Sequence, residues 1–224
     1  MLSFSIVNNA EILVEISFRS WAPSAQASTI SSSFHCAHAV AQLDPAFRTG
    51  LSGVSALKEI KMYTDGAAVP NPGKGGYGVL LRSGRKSKVL SGGYALTTNN
   101  RMELMAVIAG LEWLKGKKRV RVYCDSRYVV DSINKGWAAR WRANGWKTKA
   151  SGTKPVKNPD LWARLLKLTE AHEVEMVWVK GHSGIADNER CDQLAASALE
   201  KPELPSDDGY DASLQKNPAA TTNR

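Results

Sequence analysis

The sequence predicts an α/β fold, and three observations carry that prediction. Short runs with period-2 alternation recur between longer segments with helical spacing. Two of those runs close on a carboxylate, Asp65 and Asp125, where open α/β sheets place their sites. Two more carboxylates, Glu103 and Asp192, interrupt helical stretches that are otherwise apolar. A carboxylate facing an apolar layer is costly unless it is paired, protonated or bound to a metal.

The elements follow in order. Ile60, Met62 and Thr64 alternate with Lys61, Tyr63 and Asp65, which predicts a first strand ending at Asp65-Gly66. Asn71-Pro72-Gly73 with Gly75-Gly76 reads as a turn cluster. Two strands, Tyr77 to Arg82 and Lys88 to Ala95, flank a Ser83-Gly84-Arg85 turn and predict a hairpin. Asn99 or Asn100 caps a helix reaching about Lys115, stopped by Gly116. Val120, Val122 and Cys124 alternate up to Asp125, and Ser126 caps a short helix to about Lys135. Asn158 or Asp160 opens a helix to about Ala171. Val174, Met176 and Trp178, with Val177 and Val179 between and after them, predict a last strand buried on both faces. After the loop Gly181-His182-Ser183-Gly184, Asp187 starts a helix with the seam Cys191, Leu194, Ala195, Ala198 and Leu199.

The flanks differ from this core. Residues 1–57 are rich in Ser and Ala, hold no Lys and show no sustained period. Two readings stand, a disordered leader or translated sequence upstream of the functional start. Glu11 and Glu15 argue against a targeting peptide. Residues 201–224, rich in Pro, Asp and Asn, read as a disordered tail. The domain is therefore expected over 58–200.

Charge divides along the same lines. The chain carries +9 over 224 residues, but residues 58–199 hold 25 basic against 13 acidic side chains. A basic core with near-neutral flanks points to a polyanionic partner, nucleic acid first. Cys36, Cys124 and Cys191 form no Cys-x-x-Cys and no paired framework. That fits a reducing compartment, here the cytoplasm, and argues against structural zinc. The apolar run Met102 to Leu114 contains Glu103 and Glu112 and is too short to span a bilayer, so no membrane association is expected.

Any one of the four carboxylates has an ordinary explanation. Asp65 and Asp125 taken singly read as polar turn residues, and Glu103 as an acid favoured by its helix dipole. Together, on three kinds of element and with no matching cluster of Lys or Arg, they point to a shared cation site. Oxygen-only ligands favour Mg²⁺ first and Mn²⁺ second. Four adjacent anionic carboxylates need about two dications, the arrangement suited to phosphodiester displacement. His182, in a glycine-flanked loop, is the candidate proton carrier. Residues 135–157 hold seven basic side chains, no acid, and Trp137, Trp141 and Trp146, which reads as a basic protrusion tracking a phosphate backbone. Two alternatives fail. A phosphate loop would need Gly at position 68 and Ser or Thr after Lys74, and the chain has Ala68 and Gly75. No Gly-x-Ser-x-Gly is present, so a serine hydrolase has no support.

These motifs carry a resemblance. The strings YTDG, NPGKGGYG, TTNNRMELMA, DSRYV, KPVKNPDLW, VKGHSG and DNERCDQLA, in that order from about Lys58 to Leu199, resemble bacterial type 1 ribonuclease H. The resemblance implies a five-stranded mixed sheet of order 3-2-1-4-5 flanked by helices. It implies an endoribonuclease that hydrolyses the RNA strand of RNA/DNA hybrids by a two-metal-ion mechanism, leaving 5′-phosphate and 3′-hydroxyl ends, and acting as a monomer. Asp65, Glu103, Asp125 and Asp192 would be the metal ligands, with Asp65 bridging both ions, and His182 would assist proton transfer. Asn71, Asn99 and Asn100 would line the hybrid groove, Thr98 a DNA-phosphate pocket, and Gly66 and Glu103 would meet 2′-hydroxyls. Trp137, Trp141, Trp146, Lys147 and Lys149 would belong to a substrate-binding handle over 135–157. Arg127 stands where many relatives carry a Gln that contacts the RNA strand. The handle loop Lys149 to Lys154 is slightly long for the family.

Overall fold

A computed structural model describes residues 59–210 together with two N-terminal strands, β1 (Leu2–Ile6) and β2 (Ile12–Ile16). These two strands pair antiparallel, Leu2 opposite Ile16 and Ile6 opposite Ile12. They belong to a separate compact unit, Met1–Ser55. The sequence signal was an alternation of Leu2, Phe4 and Ile6 with Ser3 and Ser5, five residues long and too brief to register as a sustained period. The rest of the expected leader falls outside the described residues.

The second unit is built on one five-stranded sheet. Its strands are β3 (Ile60–Val69), β4 (Gly73–Ser83), β5 (Lys86–Thr97), β6 (Arg119–Cys124) and β7 (Glu173–Trp178), in the order β5-β4-β3-β6-β7. Counted from β3 this is 3-2-1-4-5, the order that the resemblance implied. β3, β4 and β5 form an antiparallel meander, while β6 joins β3 and β7 joins β6 in parallel. The helices are α1 (Asn99–Trp113), α2 (Arg127–Asn134), α3 (Trp137–Ala143), α4 (Pro159–Ala171) and α5 (Ala186–Leu199). No helix among the described residues is long and apolar enough to cross a membrane.

Helices cover both faces of the sheet. On one, α1 lies over Met62, Val79 and Val122, and Met102, Val107, Ile108 and Leu111 are fully buried there. On the other, α5 comes down directly on the backbone of β4. A side chain at Gly78 would strike the Cys191 carbonyl and the Leu194 Cβ, and one at Gly76 would strike the Ala195 carbonyl. The glycines read as a turn cluster therefore lie inside β4: Gly76 serves helix–sheet approach, while Gly73 lies against the Pro70 carbonyl at the chain reversal itself. Two other boundaries move. β3 continues four residues past Asp65, because Val69 still pairs with Lys74 of β4. β7, expected to be buried on both faces, buries only Met176, since it is the last strand of the sheet.

The C-terminal segment through Tyr210 also departs from expectation. It packs on the domain instead of trailing from it. The Ala95 amide donates to the Pro205 carbonyl at 2.9 Å, which ties the segment to β5, an end strand of the sheet. Asp207, 5% exposed, accepts from Arg101 Nε at 2.6 Å and Nη2 at 2.7 Å, and from the Thr97 hydroxyl at 2.6 Å. Arg101 is itself 2% exposed and also donates to Asp160 at 2.7 and 3.0 Å. Composition predicts disorder from the surrounding Pro and Asp, but one buried charge with a partner 106 residues upstream outweighs it. Residues beyond Tyr210 fall outside the described residues.

Asp207→Ala should lower stability by about 3 kcal/mol, at the low end for an opened buried pair because Asp160 still faces Arg101. Urea denaturation of the variant beside Asp160→Ala checks this. The half-exposed Asp160 should give the smaller loss.

Candidate active site

The site forms where the sheet opens. β6 ends at Cys124, paired with Thr64, so the next residue of β3, Asp65, has no neighbour on that side. Asp125 follows Cys124 into the same gap. α1 reaches the gap because Gly66 lets it: a Cβ there would collide with the Met102 and Glu103 backbone. This close approach seats Glu103 beside Asp65. From the opposite face, α5 contributes Asp192, and the loop before it contributes His182.

Electrostatics ties these groups together. Asp65 is 9% exposed, and its Oδ1 accepts from the Gly66 amide at 2.7 Å. Burial, helped by Asp125 and Asp192, raises its carboxyl from 3.8 to about 7, against the opposing pull of Gly66 and His182. Glu103 is pushed well above its usual range by burial, then by Asp65 and Asp125. Glu103, Cys124 and Asp125 can each place a ligand atom within 4.8 Å of the others. The Cys124 thiol faces Glu103 Oε2 at 3.9 Å, and burial with that carboxylate holds it well above its ordinary range. Oδ1 of Asp125 is buried without a hydrogen-bond partner. An orphaned carboxylate oxygen among three mutually repelling carboxyls is the signature of a donor set short of a cation. The residues fit a divalent metal.

The residues expected to line the groove gather at the start of α1. Asn99 Oδ1 accepts from the Ala68 amide at 2.5 Å, and Asn71 Oδ1 accepts from the Asn99 amide at 3.2 Å. Asn100 is exposed on the first turn of α1. Thr98 is the N-cap of that helix, its hydroxyl accepting from the Arg101 amide at 3.4 Å. His182 is exposed, with a positive φ of 49° in a loop whose Gly184 has φ 81°. Such backbone is unusual for a residue with a side chain and marks a shaped turn.

The handle separates into a base and a tip. Trp141 packs edge-on against the fully buried Trp162 at 5.6 Å, and both Trp141 and Trp146 lie against the hydrophobic core. Trp137 stays 36% exposed, with Lys135 Nζ 5.0 Å from its ring. Beyond the base, Lys147 bridges Pro155, and the Thr148 amide donates to the Lys154 carbonyl at 3.1 Å, closing a loop. Lys147, Lys149 and Lys154 are exposed there, and no carboxylate pairs with them among the described residues. Two indoles named for substrate contact thus also anchor the protrusion.

Comparison with known proteins decides the family. The RNase H family model matches residues 57–200. The chain belongs to the RNase H family. A ribonuclease H from Trichodesmium erythraeum is 58% identical over 152 residues, covering 68% of this chain and 96% of the relative. Another from Desulforamulus reducens is 59% identical over 151 residues, covering 67% and 94%. Among solved structures, LC9-RNase H1, described as a type 1 RNase H with the type 2 active-site motif, superposes with a TM-score of 0.58. It is 29% identical and covers 74% of this chain and 85% of its own.

Three contributors to this RNase H site escape sequence reasoning. The buried Cys124 beside Glu103 looks like any core cysteine in a strand. Gly181 lies so close that a Cβ there would come within 2.6 Å of Asp125 Oδ2. Trp178 donates from Nε1 to the Asp125 carbonyl at 3.0 Å. The alternation of β7 gave Trp178 a core role, and no local pattern discloses a bond across 53 residues.

A pH prediction follows from Asp65. Its folded value lies above its unfolded value, so folding favours the protonated carboxyl. That contribution is complete below about pH 4 and is lost as pH rises through about 7. Without divalent cations, wild-type protein should lose on the order of 2–3 kcal/mol more than Asp65→Asn between pH 5 and 8. Urea titrations in EDTA at both pH values measure it. Parallel losses in the two proteins would show that Asp65 does not carry the shift.

Proposed function

We propose that Asp65, Glu103, Asp125 and Asp192 hold two Mg²⁺ ions, with Mn²⁺ able to replace them, and that the handle and asparagine groove seat the duplex. The activity itself follows from the family: the chain is a ribonuclease H, a hydrolase acting on the RNA strand of RNA/DNA hybrids. The observation carrying the site assignment is the buried, mutually repelling carboxylates around the partnerless Asp125 oxygen.

Asp65 feels both Asp125 and Asp192, which suits it to bridge two ions. Glu103 and Asp125 would complete one ion's ligand set, and Asp192 the other's. When bound, the cations offset the carboxylate charge, activate a water and stabilise the leaving 3′-oxygen. His182, exposed at the mouth and close enough to act on the charge of Asp65, would carry protons between site and solvent. Gly66 would present its backbone to the RNA strand, and with Glu103 would meet 2′-hydroxyls, the groups that separate RNA from DNA. Asn71, Asn99 and Asn100 would line the groove beside them, with Thr98 at the helix start taking a DNA phosphate. The protein is read as a monomer acting in the cytoplasm.

Labelled RNA/DNA, RNA/RNA and DNA/DNA duplexes, each with and without Mg²⁺, test this directly. Only the hybrid should be cut, EDTA should abolish cleavage, and Asp65→Asn should remove nearly all turnover. Retained activity in excess EDTA would sink the metal assignment.

Removing three tip charges by replacing Lys147, Lys149 and Lys154 with Ala should weaken binding rather than chemistry. If all three meet phosphate, the slope of log K against log salt should flatten by about 2–3 units, with kcat at saturating hybrid little changed. An unchanged slope would show that the tip faces away from the duplex.

A further inference from the structure

One cation beside the site is held in place without being neutralised. The Arg127 guanidinium lies over the indole of Trp178, its central carbon 3.8 Å from the ring centroid. The same indole donates to the Asp125 carbonyl. Three elements therefore meet at one point: Arg127 opens α2, Trp178 ends β7, and Asp125 links β6 to α2. Elsewhere Arg82, Arg101, Arg119, Arg121, Arg142 and Arg164 are each bonded to a carboxylate. Arg127, like Arg85, Arg140 and Arg190, makes no ion pair among the described residues, and of these four it is the one two residues from Asp125.

The stack has a chemical consequence. It covers one face of the guanidinium and restrains a long side chain that would otherwise be free. The N–H donors lie in the guanidinium plane, so its edges stay open to an acceptor. A fixed planar cation that stands beside an anionic cluster, and does not pair with it, keeps its charge for an incoming anion. The fork geometry matches two oxygens of one phosphate. Arg127 also occupies the first position of α2, where the positive end of the helix favours the same anion.

We propose that Trp178 is a positioning residue that fixes Arg127 as a clamp on a phosphate of the RNA strand next to the bond being cut. This rests on the hybrid-cleaving site described above and adds to it a phosphate subsite set by a stacked pair. A Lys at position 127 would keep the charge but lose both the stack and the fork.

The test is steady-state cleavage of a short RNA/DNA hybrid across a salt series by wild type, Arg127→Ala, Arg127→Lys, Trp178→Leu and Trp178→Phe. Arg127→Ala should raise KM about ten- to a hundredfold, the loss of one charge-assisted bond. Its kcat should stay within about twofold, and its log–log salt slope should fall by about 0.7–0.9. Arg127→Lys should keep the slope but recover KM only in part. Trp178→Leu should reproduce the rise in KM, whereas Trp178→Phe, which keeps a ring face, should restore most of the affinity. The Arg127→Ala/Trp178→Leu double variant should be no worse than either single change. Unchanged KM and slope in Arg127→Ala, or additive effects in the double variant, would overturn the clamp while leaving an active wild type as proof of the underlying site. Wild-type protein unable to cut the hybrid would instead overturn the reading on which the clamp rests.

Discussion

Carboxylate repulsion is the constraint around which this domain is arranged. Asp65 sits buried with Asp125 and Asp192 both raising its affinity for a proton, and Glu103 is pressed against the same group. Among the described residues, no Lys or Arg forms an ion pair with these carboxylates. What keeps it assembled is backbone proximity: a strand without a neighbour beyond Thr64, a helix that rests on Gly66, and a second helix that rests on Gly76 and Gly78. Each contact fixes the backbone from which a site carboxylate projects. The repulsion is accordingly stored, and ligand binding can release it.

The same architecture leaves no room for larger side chains at several glycines around the carboxylates. Gly66, Gly78 and Gly181 each meet backbone or a site carboxylate at a distance no Cβ could share. The C-terminal clamp works on the same helix from its other side. Arg101 lies two residues before Glu103, and its pairs with Asp160 and Asp207 tie the first turn of α1 to α4 and to the end of the described chain. Burial opposes the charge on Arg101, yet the bonds from Asp160 and Asp207 more than offset it. Helix placement is thus settled by a charge network distinct from the one that it serves.

Much of this was legible in the sequence because it rests on local pattern. Alternation ending at a carboxylate located Asp65 and Asp125, and an acid inside an apolar helix located Glu103. Alternation alone could not show that β3 runs on to Val69, because the continuation depends on pairing with β4. Nor could it show that β7 is an edge strand, which depends on the order of the sheet. The Asp207 clamp, the Cys124–Glu103 contact and the Arg127–Trp178 stack join residues 21 to 106 positions apart. Composition speaks to neighbours along the chain, and these are neighbours only in space.

The handle has one more consequence. Its exposed lysines stand at the end of a protrusion anchored by Trp141 and Trp146, while Asp65 and Glu103 lie buried. Basic and acidic groups are thus kept apart within one domain. A long polyanion approaching it would be drawn by the one and repelled by the other, so a torque would act on it before any contact forms. Orientation begins at a distance of roughly a Debye length, about 8 Å at physiological ionic strength. For a duplex that meets the basic tip first, the angle of approach would be set by the protein's field as much as by its shape.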